Sequence, residues 1–235
     1  MNNARIITQY YDLYFNDRKD VKVILDIGAN EFRDTKILHS SFKQEKIYAF
    51  EPRLDPAKSN HWPNIGDRVE IFNLAVSDVD KKNIDFYIIP WWQGASSLLK
   101  PKRTPGVEWT MKEDGGKLAQ VNVVTINQFA KDNNIKQIDM IWMDIQGNEL
   151  RALKGMTDHL DKIKIIQTEA GVREYYEGHT LFHEIEEFLK PYGFEVVYNV
   201  LESGLPFVNT ESLETEFETD VVFVNKNLAQ KRLKK

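Results

Sequence analysis

Cysteine is absent from the 235-residue chain, which excludes disulfide scaffolds, thiolate zinc sites and a cysteine nucleophile. Positive charge is not in excess either, because 31 Lys and Arg stand against 36 Asp and Glu for a net charge of −5. A basic nucleic-acid surface is therefore not expected. Long hydrophobic runs are also missing: the longest, from Phe86 to Trp92, is interrupted by Pro90 and is far shorter than the ~20 residues of a membrane span.

The ends and the length predict a simple organisation. The first residues carry no apolar core of the secretory type, so we expect a cytoplasmic enzyme. A chain with 42% apolar residues at this length is expected to fold as one domain over residues 1–235. An amphipathic pattern predicts an N-terminal helix within residues 1–18, and the Lys-rich residues 226–235 are expected to form a frayed, solvated tail. The oligomeric state is not encoded in these patterns, and a homodimer is one option.

Short apolar runs that alternate with helix-length segments dominate the rest of the chain. Such runs predict an α/β fold with a mostly parallel sheet and helices on both faces. Five parallel strands are predicted, at residues 21–27, 46–50, 69–74, 138–143 and 163–168. Further strands are predicted at residues 84–89 and 120–124, and a helix over 180–190 precedes a final pair at 195–201 and 220–224.

The connection over residues 90–118 is long enough to be an insertion or lid loop. It holds four candidate substrate contacts, Trp91, Trp92, Ser96 and Ser97. An aromatic face can stack on a sugar ring, although the two tryptophans can equally cap the sheet edge. The alternation of side chains along an extended strand predicts that one tryptophan packs inward and the other faces out.

The first predicted strand ends in Asp26, and a turn at Gly28 follows. Ligands of open α/β sheets bind at such strand ends. A dinucleotide fingerprint needs three glycines, but here Phe32 occupies the place of a later glycine, which argues against a nicotinamide-dependent oxidoreductase. The carboxylates of Asp26, Glu31 and Asp34 instead favour a cationic ligand such as S-adenosylmethionine. The alternative is that Asp34 is only a helix cap and Asp26 only a turn residue.

The next two strand ends support the same cofactor. Glu51 follows the second strand, 23 residues after Gly28, close to the offset of ~20 at which an acidic residue meets ribose hydroxyls. The third strand leads into Asn73 and Ala75, where a small residue lets an adenine edge reach the backbone. The predicted cofactor-binding residues are Asp26, Gly28, Asn30, Glu51, Asn73, Ala75 and Asp144.

Five segments together resemble the FkbM family of methyltransferases: Leu25–Asn30, Ala49–Pro52, Asn73–Asp78, Ser96–Leu98 and Met143–Gly155. The resemblance covers about residues 21–200. It implies a Rossmann-like methyltransferase sheet with a C-terminal antiparallel strand pair and S-adenosylmethionine as cofactor. It also implies a hydroxyl acceptor on a sugar, polysaccharide, polyketide or related small molecule, and hence an O-methyltransferase.

Two positions depart from the family pattern. The family usually has Gly where Phe32 stands, and Glu where Gln146 stands in D-x-E-G-x-E. Phe32 can narrow the cofactor pocket, and Gln146 removes a charge beside Asp144. These departures motivate an alternative function, a noncatalytic FkbM-like fold that acts as a binding module.

Three carboxylates are candidate catalytic residues. Asp144 follows the fourth predicted strand, where it can act as general base, with helix capping or cofactor contact as the alternative. Glu169 ends the fifth predicted strand, and Glu149 is the remaining candidate unless it pairs with Arg151 or Lys154 on the surface. A divalent metal on Asp144 and Glu169 is an alternative that two carboxylates alone do not favour, so no metal site is predicted.

His179 and His183 have the four-residue spacing of a helical metal chelate. The apolar stripe of the predicted helix turns both toward solvent at ~100° per residue. We therefore expect both histidines to be exposed surface residues.

Overall fold

The computed structural model describes residues 4–42, 46–55, 57, 62–104, 116–199 and 218–231. Its helices are α1 (Ala4–Tyr14), α2 (Arg33–Ser41), α3 (Ile126–Asp132), α4 (Glu149–Lys154) and α5 (Phe182–Leu189). Its strands are β1 (Val23–Ile27), β2 (Lys46–Phe50), β3 (Val69–Phe72), β4 (Ala75–Val76), β5 (Lys81–Ile88), β6 (Lys117–Val124), β7 (Met140–Met143), β8 (Ile165–Gly171), β9 (Phe194–Asn199) and β10 (Glu218–Asn225).

Seven strands form the main sheet in the order β3-β2-β1-β7-β8-β10-β9. Neighbouring strands from β3 to β8 are parallel, whereas β10 is antiparallel to both β8 and β9. The predicted mostly parallel sheet with a C-terminal antiparallel strand is therefore confirmed. The buried apolar run of β7, in which every residue is buried, is what a strand covered on both faces requires.

Side-chain alternation divides the core of the main sheet into two layers. Ile24 and Trp142 belong to the layer that α1 and α2 cover. Leu25 and Ile141 belong to the opposite layer, which receives Phe129 of α3 together with residues of α4 and α5. The predicted helices on both faces of the sheet are thus present.

A second sheet of three strands, in the order β4-β6-β5, was not predicted. It forms because Ala75 and Val76 do not continue β3 and instead pair in parallel with Val123 and Val124 of β6. Strands β5 and β6 pair in antiparallel orientation, and Ile88 stands opposite Lys117 at one end of the pairing. Because Lys117 already belongs to β6, the loop predicted over residues 90–118 ends before this residue. Residues 105–115 of that loop lie outside the described residues.

Strand β8 is longer than predicted. It reaches Gly171, because its antiparallel pairing with β10 continues until Gly171 stands opposite Glu218. Glu169 consequently lies inside the strand, opposite Asp220, and does not end it. The partner strand is far away in sequence, so the local pattern could not show this extension.

The C-terminal segment is also better fixed than predicted. Leu228 and Ala229 pack against the core layer that includes α1, and the backbone N–H groups of Gln230 and Lys231 donate to the Tyr14 carbonyl at 2.9 and 3.0 Å. These bonds satisfy a carbonyl that the end of α1 leaves free. The expectation of a frayed tail is wrong for residues 226–231, and residues 232–235 lie outside the described part. No helix among the described residues is long and apolar enough to cross a membrane.

Candidate functional site

A cleft with an empty volume of about 530 Å³, including the part open to solvent, lies at the carboxyl ends of β1, β2 and β7. We call it the main cleft. Its lining comprises Ile27, Gly28, Asn30, Phe50, Glu51, Pro52, Arg53, Leu74, Ala75, Val76, Phe86, Gln93, Gly94, Ser96, Leu98, Asp144, Ile145 and Asn148. The position is the one expected for a ligand site of a parallel sheet.

Gly28 allows the ends of β1 and β7 to come close together. Its φ is +91°, and a Cβ atom at this position would overlap the backbone carbonyl oxygen of Asp144. Its N–H donates to the Phe50 carbonyl at 3.0 Å. The glycine is thus required both by its backbone conformation and by the close approach of a neighbouring strand.

Glu51 lies at the wall of the main cleft and is 4% exposed. Its Oε2 accepts a hydrogen bond from the Asn30 backbone N–H at 2.8 Å. Its Oε1 accepts two, from the Arg53 backbone N–H at 2.8 Å and from Arg53 Nε at 3.0 Å. Since each carboxylate oxygen has two acceptor positions, Oε2 can accept one further hydrogen bond.

Arg53 is a site residue that the sequence analysis missed. Besides Glu51, its guanidinium donates to the side-chain oxygen of Asn30 and, at 3.2 Å, to that of Gln93. It thereby joins the turn after β1, the segment after β2 and the short 3-10 turn at Gln93–Ala95. The only signal in the sequence was its position two residues after Glu51, and this position does not show where the Arg53 side chain points.

Asn73 and Ala75, the two residues predicted after the third strand, have different positions in the structure. Ala75 lines the main cleft, as expected. Asn73 is not among the lining residues, and its amide donates to the carbonyls of Pro52 and Leu54 at 2.8 and 2.6 Å. Asn73 therefore holds the backbone that follows Glu51.

Asn148 lines the main cleft and was not predicted. It is 1% exposed, and its Nδ2 donates to the Val76 carbonyl at 3.0 Å and to Ser77 Oγ at 3.2 Å. Its Oδ1 is buried and has no hydrogen-bond partner among the described residues. A buried acceptor without a partner costs free energy, so a donor on a bound ligand would stabilise it.

Asp26 lies behind the main cleft and does not line it. The side chain is fully buried, and its Oδ2 accepts a hydrogen bond from Thr35 Oγ1 of α2. Burial raises the pKa of Asp26 to about 7. Alternation along β1 places Asp26 on the α2 face while its neighbour Ile27 reaches the cleft. The predicted contact with a cofactor is thus replaced by a contact that positions α2.

Phe32 also lies outside the main cleft. It adopts φ = +59° just before α2, and its ring is 4% exposed in a cluster with Ala29 and Ala49. Leu54 and Ile71 pack against the same cluster. The expectation that Phe32 narrows the cofactor pocket is therefore not met, because the ring fills a hydrophobic space beside the sheet.

Asp144 lines both the main cleft and a second depression, which we call the side pocket. The side pocket is formed by Gly28, Ala29, Asn30, Glu31, Arg33, Asp34, Trp92, Gly94, Trp142 and Asp144. Burial raises the pKa of Asp144. The structure thus places this predicted catalytic carboxyl where the two spaces meet.

Glu169 and Asp144 are brought together by Gln146. The Gln146 Nε2 atom donates to Asp144 Oδ1 at 2.7 Å and to Glu169 Oε2 at 2.6 Å. Both carboxyl groups thus accept a hydrogen bond from the same nitrogen atom. Burial, followed by the charge of Asp144, raises the pKa of Glu169 well above its usual value. The charge of Glu218 also raises the pKa of Glu169.

Glu149 stabilises the loop and is neither a cleft residue nor a surface ion-pair partner. It is 1% exposed, and its Oε1 accepts the backbone N–H groups of Ile145 at 3.1 Å and Gly147 at 3.2 Å. Burial raises its pKa to about 8. The alternative of surface pairing with Arg151 or Lys154 is wrong because the side chain points into the protein.

The predicted substrate residues have different environments. Trp91 is half-buried and Trp92 is 62% exposed, which agrees with one ring packing inward and one facing out. Trp92 lines the side pocket and Ser96 the main cleft. Ser97 is 1% exposed, and its hydroxyl donates to the Gln146 carbonyl at 2.7 Å. Ser97 therefore supports the loop that holds Gln146.

The expectation for the two histidines is wrong for His179. This residue precedes α5, which begins at Phe182, and it is 4% exposed with its ring 4.3 Å from that of Tyr175. Burial lowers its pKa to about 4. His183 is exposed, as expected. No group of three or more His, Asp or Glu residues within the described ranges has an arrangement suited to a metal ion.

Solved structures with a similar backbone fold include methyltransferases. A methyltransferase FkbM from Methylobacillus flagellatus KT has a TM-score of 0.47 and 14% identity, over 92% of this chain and 50% of that chain. The Burkholderia thailandensis 1,6-didemethyltoxoflavin-N1-methyltransferase, solved with S-adenosylhomocysteine, has a TM-score of 0.45 and 12% identity, over 95% of this chain and 76% of that chain.

Sequence comparison is more specific. The chain is 30% identical over 184 residues to the 2-O-methyltransferase NoeI of Sinorhizobium fredii (strain NBRC 101917 / NGR234), which is 74% of this chain and 73% of that protein. It is 24% identical over 205 residues to the AMB antimetabolite synthetase AmbE of Pseudomonas aeruginosa, of which it covers 10%. The model of the methyltransferase FkbM domain matches residues 26–196. The predicted family is confirmed, and this chain belongs to the FkbM family of methyltransferases.

Proposed function

We propose that the chain is an S-adenosylmethionine-dependent O-methyltransferase whose acceptor is a hydroxyl group of a carbohydrate or another small polar molecule. The observation that carries the proposal is the position of Asp144 between the main cleft and the side pocket. A carboxylate there can face a cofactor on one side and an acceptor on the other. The similarity to the 2-O-methyltransferase NoeI supports oxygen as the methylated atom.

The main cleft has the features that this cofactor needs. Glu51 offers a free acceptor position at Oε2 for a ribose hydroxyl, and Asn148 offers a buried acceptor without a partner. The close approach at Gly28 leaves backbone at the floor of the cleft. When bound, S-adenosylmethionine supplies a methyl group on a positively charged sulfur that is its own leaving group. The carboxylates of Glu51 and Asp144 are compatible with that positive charge.

The chain itself has two tasks, to hold the acceptor hydroxyl and to remove its proton. The side pocket supplies the first, because Trp92 presents an exposed aromatic face beside Asn30 and Arg33. Aromatic faces cover the apolar side of a sugar ring, and the polar groups bind its hydroxyls. The Asp144 carboxylate supplies the second task by accepting the hydroxyl proton.

The test is methyl transfer by the purified chain to a panel of oligosaccharides and simple polyols, measured by S-adenosylhomocysteine release and by mass spectrometry of the acceptor. Asp144→Asn is expected to lower turnover about 100-fold or more while S-adenosylhomocysteine still binds. Asp161→Asn changes an exposed aspartate and serves as the matched control.

Two outcomes would contradict the proposal. If Asp144→Asn is as active as the unaltered chain, Asp144 is not the base. If the cofactor binds but no hydroxyl acceptor is methylated, the noncatalytic binding module becomes the better assignment.

A further inference from the structure

Gln146 stands between two carboxyl groups from neighbouring strands of the sheet. Both of its amide hydrogens are used, because Nε2 lies 2.7 Å from Asp144 Oδ1 and 2.6 Å from Glu169 Oε2. An amide has two N–H donors on one atom, so its hydrogen-bonding capacity matches this pair of acceptors. The orientation of the amide is assigned from these two bonds, because the opposite orientation would leave both amide hydrogens without these acceptors.

Several contacts fix Gln146 in this position. Its backbone has φ = +55°, and its carbonyl accepts the Ser97 hydroxyl at 2.7 Å. The Tyr176 hydroxyl lies 3.2 Å from Gln146 Oε1 and 2.6 Å from the Ala95 carbonyl. Gln146 is 8% exposed. The Gln146 backbone is therefore fixed by Ser97 and its side chain by the two carboxyl groups, which gives it the rigidity that a positioning group needs.

The surroundings of the two carboxyl groups are acidic. The titratable groups that face them from the packed elements are Asp26, Asp34, Glu51, Glu149, Tyr176, Glu218 and Asp220. Two carboxyl groups that bind the same nitrogen atom in such surroundings are not expected to be ionised together near neutral pH. A glutamate in place of Gln146 would add a third carboxyl group at hydrogen-bond distance from both.

We propose that Gln146 is a positioning residue that holds Asp144 and Glu169 as a pair sharing one proton, so that Asp144 is the ionised member facing the two binding spaces. Glu169 keeps the proton because its carboxyl group is buried and because the negative charges of Asp144 and Glu218 disfavour its ionised form. The neutral amide supports the Asp144 carboxylate with a hydrogen bond and without a charge of its own. This inference rests on the proposed function, in which the Asp144 carboxylate accepts the acceptor proton.

The main test is the variant Gln146→Glu, with Gln128→Glu as its matched control. Gln128 also donates its amide to a carboxylate, Asp132 Oδ1, at 2.7 Å, but this pair is exposed. In Gln146→Glu the acidic limb of the pH profile of kcat/KM is expected to move up by about one pH unit or more, because the added carboxyl group disfavours the ionised Asp144. Gln128→Glu should leave the profile in place, and coinciding profiles for Gln146→Glu and the unaltered chain would overturn the inference.

A second measurement does not depend on activity. Infrared difference spectra between Glu169→Gln and the unaltered chain at pH 7 are expected to show the loss of one protonated carboxyl group, and Gln146→Glu is expected to show the gain of one. No loss in Glu169→Gln would overturn the proton-sharing pair, even if Gln146→Glu does not fold. If the proposed function fails because no acceptor is methylated, these spectra still decide the role of Gln146.

Discussion

Arg53 donates two hydrogen bonds to the same oxygen of Glu51, one from its backbone N–H at 2.8 Å and one from Nε at 3.0 Å. Within the described part of the chain, the other oxygen, Oε2, accepts only the Asn30 N–H, at 2.8 Å. Glu51 is therefore held in a fixed orientation at the cleft wall, with Oε2 as the oxygen that can accept a ligand hydroxyl. The sequence predicts a contact between this carboxylate and ribose hydroxyls, and the bonds from Arg53 and Asn30 leave an acceptor position on Oε2 for one of them.

Glu51→Gln is expected to weaken S-adenosylhomocysteine binding roughly 10- to 100-fold, because hydrogen bonds to a charged acceptor contribute about 1.5–3 kcal/mol. Isothermal titration calorimetry measures the change. Glu70→Gln is the matched control, since Glu70 on β3 forms an ion pair with Lys46 at the start of β2 and does not line the main cleft. Equal affinity in Glu51→Gln and Glu70→Gln would show that Glu51 does not contact the cofactor.

Gly28→Ala is expected to destabilise the protein by about 3 kcal/mol or more or to prevent folding, because the new Cβ would overlap the Asp144 carbonyl and the φ of +91° is unfavourable for alanine. Gly94→Ala provides the control within the same cleft. Its added Cβ would lie 3.7 Å from the nearest atom, Asn30 Nδ2. Urea unfolding monitored by circular dichroism compares the two, and similar midpoints would contradict the close approach at Gly28.

Phe32→Gly restores the family residue and is expected to lower stability by about 2–4 kcal/mol, because the lost ring packing outweighs the relief of the positive φ. Its affinity for S-adenosylhomocysteine should stay within about threefold of the unaltered value, since Phe32 does not line the cleft. Asn134→Gly, at an exposed residue with φ = +54°, measures the backbone effect alone. Binding that becomes more than tenfold tighter in Phe32→Gly would show that the ring does restrict the cleft.

Glu149→Gln is expected to flatten the dependence of stability on pH. Burial raises the pKa of Glu149 from the ordinary 4.5 to about 8, so the folded state binds a proton more tightly than the unfolded state does. Its contribution is fully present below pH 4.5 and is lost as the pH rises through 8, at up to about 1 kcal/mol per pH unit. Thermal melts from pH 5 to 9 test this slope, with the exposed Glu186→Gln as control. An unchanged slope in Glu149→Gln would contradict the buried, protonated state.

Strands could be predicted from the sequence where a local run of apolar residues forms them. The apolar runs of β1, β2 and β7 predicted a covered parallel sheet, and the structure has one. The ribose contact predicted for Glu51 stays a prediction, and the structure places this residue next to the turn after β1. The second sheet was not predictable in the same way, since the pairing of Ala75 with Val123 joins residues that are far apart in sequence.

The candidate site likewise has features that the sequence could predict and features that it could not. The sequence identified residues that reach the main cleft, among them Gly28, Glu51 and Asp144. It could not tell these from Asp26, Asn73 and Glu149, which have the same chemistry but hold neighbouring backbone or helices. The difference depends on the direction of each side chain and on its hydrogen-bond partners, which come from other parts of the chain.

By itself the sequence determined the family, the alternation of strands and helices, and the set of polar residues at the strand ends, because periodicity and short motifs are properties of neighbouring residues. Only the tertiary structure decided that Gln146 joins Asp144 to Glu169, that Arg53 holds Glu51, and that Phe32 stays out of the cleft. Each of these depends on distances between segments that meet only when the sheet is assembled.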